Sequence, residues 1–201
     1  MKKILSLLIV FFALNSVVFA CDNSQIISNA PISKKDLKRA CAIITDLQKQ
    51  TLVQINKGYG PFLAAIYDDK GNLIAKTSNS VINEKCSNNH AEMNAIKAAE
   101  KKLGTYDLSS YNLSLYVTAE PCIMCAGGIM WSGIKNVYYG VSSSDVEKIT
   151  GFDEGYKPDW INQFKKRGIK VYGNIESELG KQVLAEYVKS GKKVYKPERQ
   201  Q

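Results

Sequence analysis

The sequence is poorest in histidine: its 201 residues hold one, His90. Any mechanism that draws two imidazoles from a single subunit is excluded. Proline stops at 5 residues and glycine at 14, which rules out collagen and the proline- and glycine-rich disordered classes. Five cysteines are too few for a disulfide scaffold at this length. The composition also lacks the repeated long apolar runs of a multi-span membrane protein. What is there is 45% hydrophobic and 23% charged, one domain's worth of chain with enough apolar material for a core.

Acid is missing from one stretch in particular. The first 20 residues carry Lys2 and Lys3 but no Asp or Glu. Ile4 to Leu14 is apolar except for Ser6, and Val17-Val18-Phe19-Ala20-Cys21 follows a short polar break. A basic start, an apolar middle and a small residue before a cleavage point read as a secretory signal. The expected organisation is a signal peptide over 1–20, a polar tether over 21–32 and the functional domain over 33–201. Val18-Phe19-Ala20-Cys21 resembles the lipobox of bacterial lipoproteins, which makes Cys21 a candidate for lipidation. Ordinary cleavage after Ala20 is the alternative. Both place the mature protein outside the cytoplasm, in the periplasm or attached to the envelope. Membrane contact is then expected only through an N-terminal lipid or an uncleaved anchor.

Basic residues outnumber acidic ones, 27 to 19, but they come in scattered doublets such as Lys34-Lys35 and Lys192-Lys193. That is the pattern of a solvated surface. No basic stretch interleaved with aromatics suggests a strand-binding groove, which argues against nucleic acid as a partner.

Ser33 offers a helix cap, with Asp36 three residues on, and Leu37, Cys41, Ile44, Leu47 and Ile55 recur at near-helical spacing. Phe62–Tyr67 and Leu73–Thr77 read as a hairpin around Asp68-Asp69-Lys70-Gly71-Asn72. Helical and strand patterns then alternate to the end of the chain. A hairpin followed by alternating α and β predicts an α/β fold, with a mixed sheet of about five strands between two helical layers.

His90-Ala91-Glu92 is expected to open one helix, and Pro121-Cys122-Ile123-Met124-Cys125 another about thirty residues later. A catalytic zinc takes three protein ligands and keeps a fourth position for water, and one imidazole with two thiolates meets that count. Helix N-termini stabilise thiolate charge. Glu92 then stands beside the metal without being a ligand, placed to shuttle a proton. A competing reading makes Cys122-x-x-Cys125 a thiol–disulfide couple, but it leaves His90 and Glu92 without work.

HxE followed by PCxxC is the signature of the zinc-dependent deaminases. The sequence resembles that family from about Leu37 to Tyr195. The run Leu115-Tyr116-Val117-Thr118-Ala119-Glu120-Pro121-Cys122-Ile123-Met124-Cys125-Ala126-Gly127-Gly128 looks like its purine-acting branch of guanine and tRNA adenosine deaminases. The resemblance implies a three-layer α/β/α sandwich of the cytidine deaminase-like kind. It also implies one zinc per chain on His90, Cys122 and Cys125, with Glu92 as the catalytic acid–base. The expected reaction is hydrolytic deamination of a small purine, guanine to xanthine plus ammonia. Adenine, adenosine, cytosine, cytidine or tRNA adenosine deamination are the alternatives. Phe62, Asn79, Trp131 and Glu154 fall where the guanine deaminases hold the base, although Glu154 is one methylene longer than that branch's aspartate. Glu120 is expected to be structural. The family also implies a homodimer, in which the C-terminal segment reaches the partner's site. Six residues beyond Tyr195 put that swap in doubt.

Three cysteines stand outside the zinc set. If Cys21 is lipidated, Cys41 and Cys86 remain as a candidate disulfide, closing a loop of roughly 45 residues worth about 4 kcal/mol. The competing reading places Cys41 in the core as a small hydrophobe.

Overall fold

The computed structural model describes residues 25–195. The segment 1–20, expected to be a signal peptide, and the candidate lipidation residue Cys21 lie outside them. Among the described residues, no helix is long and apolar enough to cross a membrane.

Six strands form one mixed sheet. They are β1 (Ile27–Ser28), β2 (Leu63–Tyr67), β3 (Leu73–Ser78), β4 (Ser114–Ala119), β5 (Asn136–Val141) and β6 (Lys170–Gly173), in the spatial order β1-β6-β5-β4-β2-β3. β4, β5 and β6 run parallel, while β2 is antiparallel to both β3 and β4, as the hairpin pattern predicts. The sixth strand comes from a segment whose polar composition reads as a tether. There Ile27 and Ser28 pair with Gly173 and Tyr172, and the Asn29 amide donates to the Ile161 and Ile169 carbonyls and accepts from Val171 N. A two-residue strand held by one asparagine leaves no periodicity to detect.

Strand alternation sorts the core into two faces. Ala64, Ile66, Leu115, Val117, Val137, Tyr139 and Val171 share one face with helix α3 (Ala91–Leu103) and helix α4 (Ile123–Ser132). Leu63, Ala65, Tyr116, Tyr138 and Tyr172 share the other with helix α1 (Lys34–Asn56). There Tyr116, Tyr138 and Tyr172 stack in sequence, with ring centroids 4.6 and 4.9 Å apart. The outcome is the expected three-layer sandwich. Its helices also include the short α2 (Val81–Glu84), α5 (Ser143–Thr150), α6 (Trp160–Lys166) and α7 (Ser177–Lys189).

α1 starts where its cap predicts: Ser33 Oγ accepts from Asp36 N. Its apolar stripe buries Leu37, Ala40, Cys41, Ile44 and Leu47 against the sheet. Cys41 is therefore a core residue, and it is disulfide-bonded. The candidate Cys41–Cys86 bridge is not formed, because Cys86 is a free thiol that donates to Asn88 Oδ1 at 2.9 Å. Cys41 lies on the sheet-facing side of α1, whereas Cys86 sits in the loop that leads into α3 on the other face of the sheet.

Candidate active site

Two helix starts on the α3/α4 face build the centre. His90 is the extended N-cap residue of α3, and Cys122 is the extended N-cap residue of α4. Pro121 precedes Cys122 where the chain leaves β4, which suits a residue with no N–H to satisfy. Cys125 follows in the first turn of α4. His90 Nδ1 lies 3.5 Å from Cys122 Sγ and 3.6 Å from Cys125 Sγ. The three ligand atoms all fall within 4.8 Å of one another.

A tetrahedral zinc, with bonds of about 2.3 Å to sulfur and 2.0 Å to nitrogen, requires N···S separations of about 3.5 Å. The observed distances meet that requirement, and one imidazole with two sulfurs is a donor set zinc favours. His90, Cys122 and Cys125 thus form the zinc site.

The charges are arranged for a metal. A hydrogen bond from the Cys125 thiol, helped by His90 and opposed by burial, brings Cys122 down to about 4. The same bond, together with burial, pushes Cys125 up. A metal bound there would take both sulfurs as thiolates. Burial alone would lower His90, but its hydrogen bond with Cys122 and the nearby carboxylates prevail and raise it. Glu92, in the first turn of α3, is buried, and desolvation followed by the Cys122 charge raises it to about 7. It is a buried carboxyl beside the ligands, the kind of group that can carry a proton.

The expected substrate residues divide. Phe62 and Asn79 line one cleft, together with Phe152 and with Lys193, Val194 and Tyr195 of the C-terminal segment. The Phe152 ring lies 6.1 Å from His90 and 6.3 Å from Phe62, which joins this cleft to the metal-ligand cluster. Asn79 is pinned by its backbone, which donates to Phe62 O and accepts from Gly60 N. A side chain at Gly60 would meet the Asn79 side-chain amide at 2.9 Å, so the two segments approach closely there. Glu154 is 7% exposed, and burial raises it to about 8 against the opposing effects of Ser143 and Lys157.

Trp131 is not brought to the cluster. It lies near the end of α4 and is 88% exposed, while Cys125, Ala126 and Ile129 occupy the buried side of that helix. Glu120 is structural, as expected: its carboxylate accepts from Ser143 N at 3.0 Å and pairs with Lys157 at 2.8 Å. Sequence reasoning missed Phe152, which lies two positions before Glu154. It also missed Ser143 and Lys157, for which no motif existed. The C-terminal segment lines the cleft of its own chain, and Tyr187 donates to Lys193 O at 2.6 Å to hold it there.

The profile of the cytidine and deoxycytidylate deaminase zinc-binding region matches residues 34–141. The chain is 40% identical over 103 residues to a guanine deaminase of Bacillus subtilis, covering 51% of this chain and 64% of that protein. It therefore spans a little under two thirds of that relative. A tRNA-specific adenosine deaminase of Buchnera aphidicola is 32% identical over 128 residues, covering 64% and 80% of the two chains. Among solved structures, a guanine deaminase from Nitrosomonas europaea superposes with a TM-score of 0.70 at 34% identity, covering 78% of this chain and 93% of that one.

Proposed function

The chain belongs to the family of the cytidine and deoxycytidylate deaminase zinc-binding region, and from that premise we propose that it deaminates a free purine, guanine, to xanthine and ammonia. The observation that carries this reading is the buried His90–Cys122–Cys125 cluster with two carboxyls beside it, Glu92 and Glu154. When bound, zinc supplies Lewis acidity that lowers the pKa of water toward neutrality. Glu92 accepts the proton that water gives up and delivers it to the ring nitrogen next to the amino-bearing carbon. As the C–N bond breaks, Glu92 takes the proton of the hydroxyl added to that carbon and passes it to the departing amine, so that guanine and water become xanthine and ammonia. Phe62 and Phe152 offer apolar faces to the base and Asn79 a polar group to its edge, with the buried Glu154 carboxyl as the second polar group of this reading.

A polynucleotide substrate is the second reading, since tRNA adenosine deaminases are among the relatives. The small-base reading is favoured because Lys193–Tyr195 narrow the cleft from the chain's own C-terminal side. The localisation reading is an exported, periplasmic or envelope-attached protein. The residue pattern over 1–21 supports it, and a disulfide at Cys41 suits an oxidising compartment. A homodimer belongs to the same reading, because α4 leaves Ile123 and Trp131 exposed on one helix.

The test is ammonia release by the zinc-loaded protein from guanine, adenine, adenosine, cytosine and cytidine. Guanine is expected to give the highest kcat/KM. A roughly tenfold advantage for adenosine or cytosine overturns the substrate assignment.

A further inference from the structure

Glu154 lies in the segment between α5 and α6, which has no regular structure to fix a side chain. Its backbone is tied to the metal helix: Ile123 N donates to Glu154 O at 3.0 Å. The next residue presses on the same helix, for a side chain at Gly155 (φ +78°) would meet Ile123 Cγ2 at 2.6 Å. The carboxyl is held separately. Ser143 Oγ donates to Glu154 Oε2 at 2.5 Å, and Lys157 Nζ donates to that same Ser143 Oγ at 2.5 Å. The hydroxyl thus accepts from the ammonium and donates to the carboxyl.

Lys157 is 9% exposed at its side chain, and a buried ammonium is costly unless paired. Its close partner is Glu120 Oε1 at 2.8 Å, while Glu154 Oε2 is 3.8 Å away. Ser143 N closes the ring by donating to Glu120 Oε2 at 3.0 Å. Glu120 is therefore the nearer counter-ion, and Lys157 reaches the Glu154 carboxyl by hydrogen bonding through Ser143 Oγ as well as by its charge. Among the described residues, both contacts fall on Oε2, which leaves Oε1 as the oxygen able to meet a ligand. Three segments converge on one ammonium: the turn into α4, the first turn of α5 and the loop that carries the acid.

We propose that Lys157 is a positioning residue which, through Ser143 and braced by Glu120, sets the Glu154 carboxyl at the edge of the zinc site and so determines how tightly the base is held. The proposal rests on the purine-deaminase reading for its ligand, but not for its geometry.

The experiment compares zinc-loaded wild type, Lys157→Met, Lys157→Arg and Ser143→Ala by zinc content, crystal structure and steady-state kinetics on guanine. Lys157→Met is expected to keep one zinc and leave Glu92 in place. Its Glu154 carboxyl is expected to move by about 1 Å or more, with KM raised roughly tenfold and kcat changed less than about threefold. Lys157→Arg is expected to recover most of the KM loss. Ser143→Ala is expected to show a smaller displacement in the same direction, and it carries the test if Lys157→Met does not fold. An unmoved Glu154 carboxyl in these variants overturns the proposal, as does a loss confined to kcat or one that Lys157→Arg does not repair. If wild type does not act on guanine, the substrate reading fails, and the crystal structures alone decide: displacement supports the role of Lys157 and its absence ends it.

Discussion

His90 and Cys122 are the residues at which α3 and α4 begin, whereas Phe62, Asn79, Glu154 and Lys157 lie in connecting segments. The two regions meet across the Phe152 ring, yet they are held by different physics. A helix start is fixed by its own hydrogen bonds: Asn94 N donates to His90 O and Ala126 N to Cys122 O, and each helix is buried along one side in the same core. The substrate edge has isolated backbone bonds instead of a helical ladder, and adds side-chain ties such as Asn94 Nδ2 donating to Ser78 O and Asn89 O, or Ser143 Oγ to Glu154. The metal corner is therefore rigid by construction, while the substrate edge is tuned by single residues.

The sharpest way to break this contrast is to remove a metal ligand. His90→Ala or Cys122→Ala leaves two of three donors, so zinc is expected to be lost and activity to fall by roughly 10⁴-fold or more. Metal analysis with ammonia release checks it, and a variant that keeps both zinc and turnover denies the residue its role. Changing the substrate edge should be selective instead. Glu154→Gln is expected to lower kcat/KM on guanine by roughly 100-fold and on adenine by less than about threefold. Equal losses on both bases would move Glu154 into the chemistry.

The pH response of the chelated protein separates the regions without substrate. Glu154 has a raised pKa in the fold, about 8 against an ordinary 4.5, so the folded state binds its proton more tightly than the unfolded chain does. Its contribution to stability is complete below the unfolded value and is lost as pH rises through the folded one. Metal-free Glu154→Gln should therefore gain on metal-free wild type between pH 5 and pH 8, by on the order of 3 kcal/mol. A thermal-melt difference that stays flat across that window contradicts this. The smallest effect is expected at Trp131. Its exposure predicts that Trp131→Ala changes KM by less than about twofold. A tenfold change would return the residue to the site by way of a partner subunit.

The same contrast explains what could be read from the chain. Strand alternation, the Ser33 cap and the two motifs all report local periodicity or fixed spacing, so the sandwich, the zinc ligands and Glu92 were legible. Trp131 was misplaced because a residue six positions beyond Cys125 need not face the same way, and helix phase puts it on the solvent side. Lys157 and Ser143 carried no signal, since an ion pair to Glu120 across 37 positions has no spacing rule. The strand at Ile27–Ser28 and the oxidised state of Cys41 depended on long-range partners in the same way.

The central claim is that the metal corner holds the ion and Glu92 moves the proton, as separate tasks. Glu92→Gln preserves shape and removes the base, so one measurement addresses it: single-turnover ammonia release from guanine by the zinc-loaded variant. The account predicts one zinc per chain, guanine still bound, and a rate lowered by roughly 10² to 10⁴. A variant with full zinc and a rate within about threefold of wild type would contradict it.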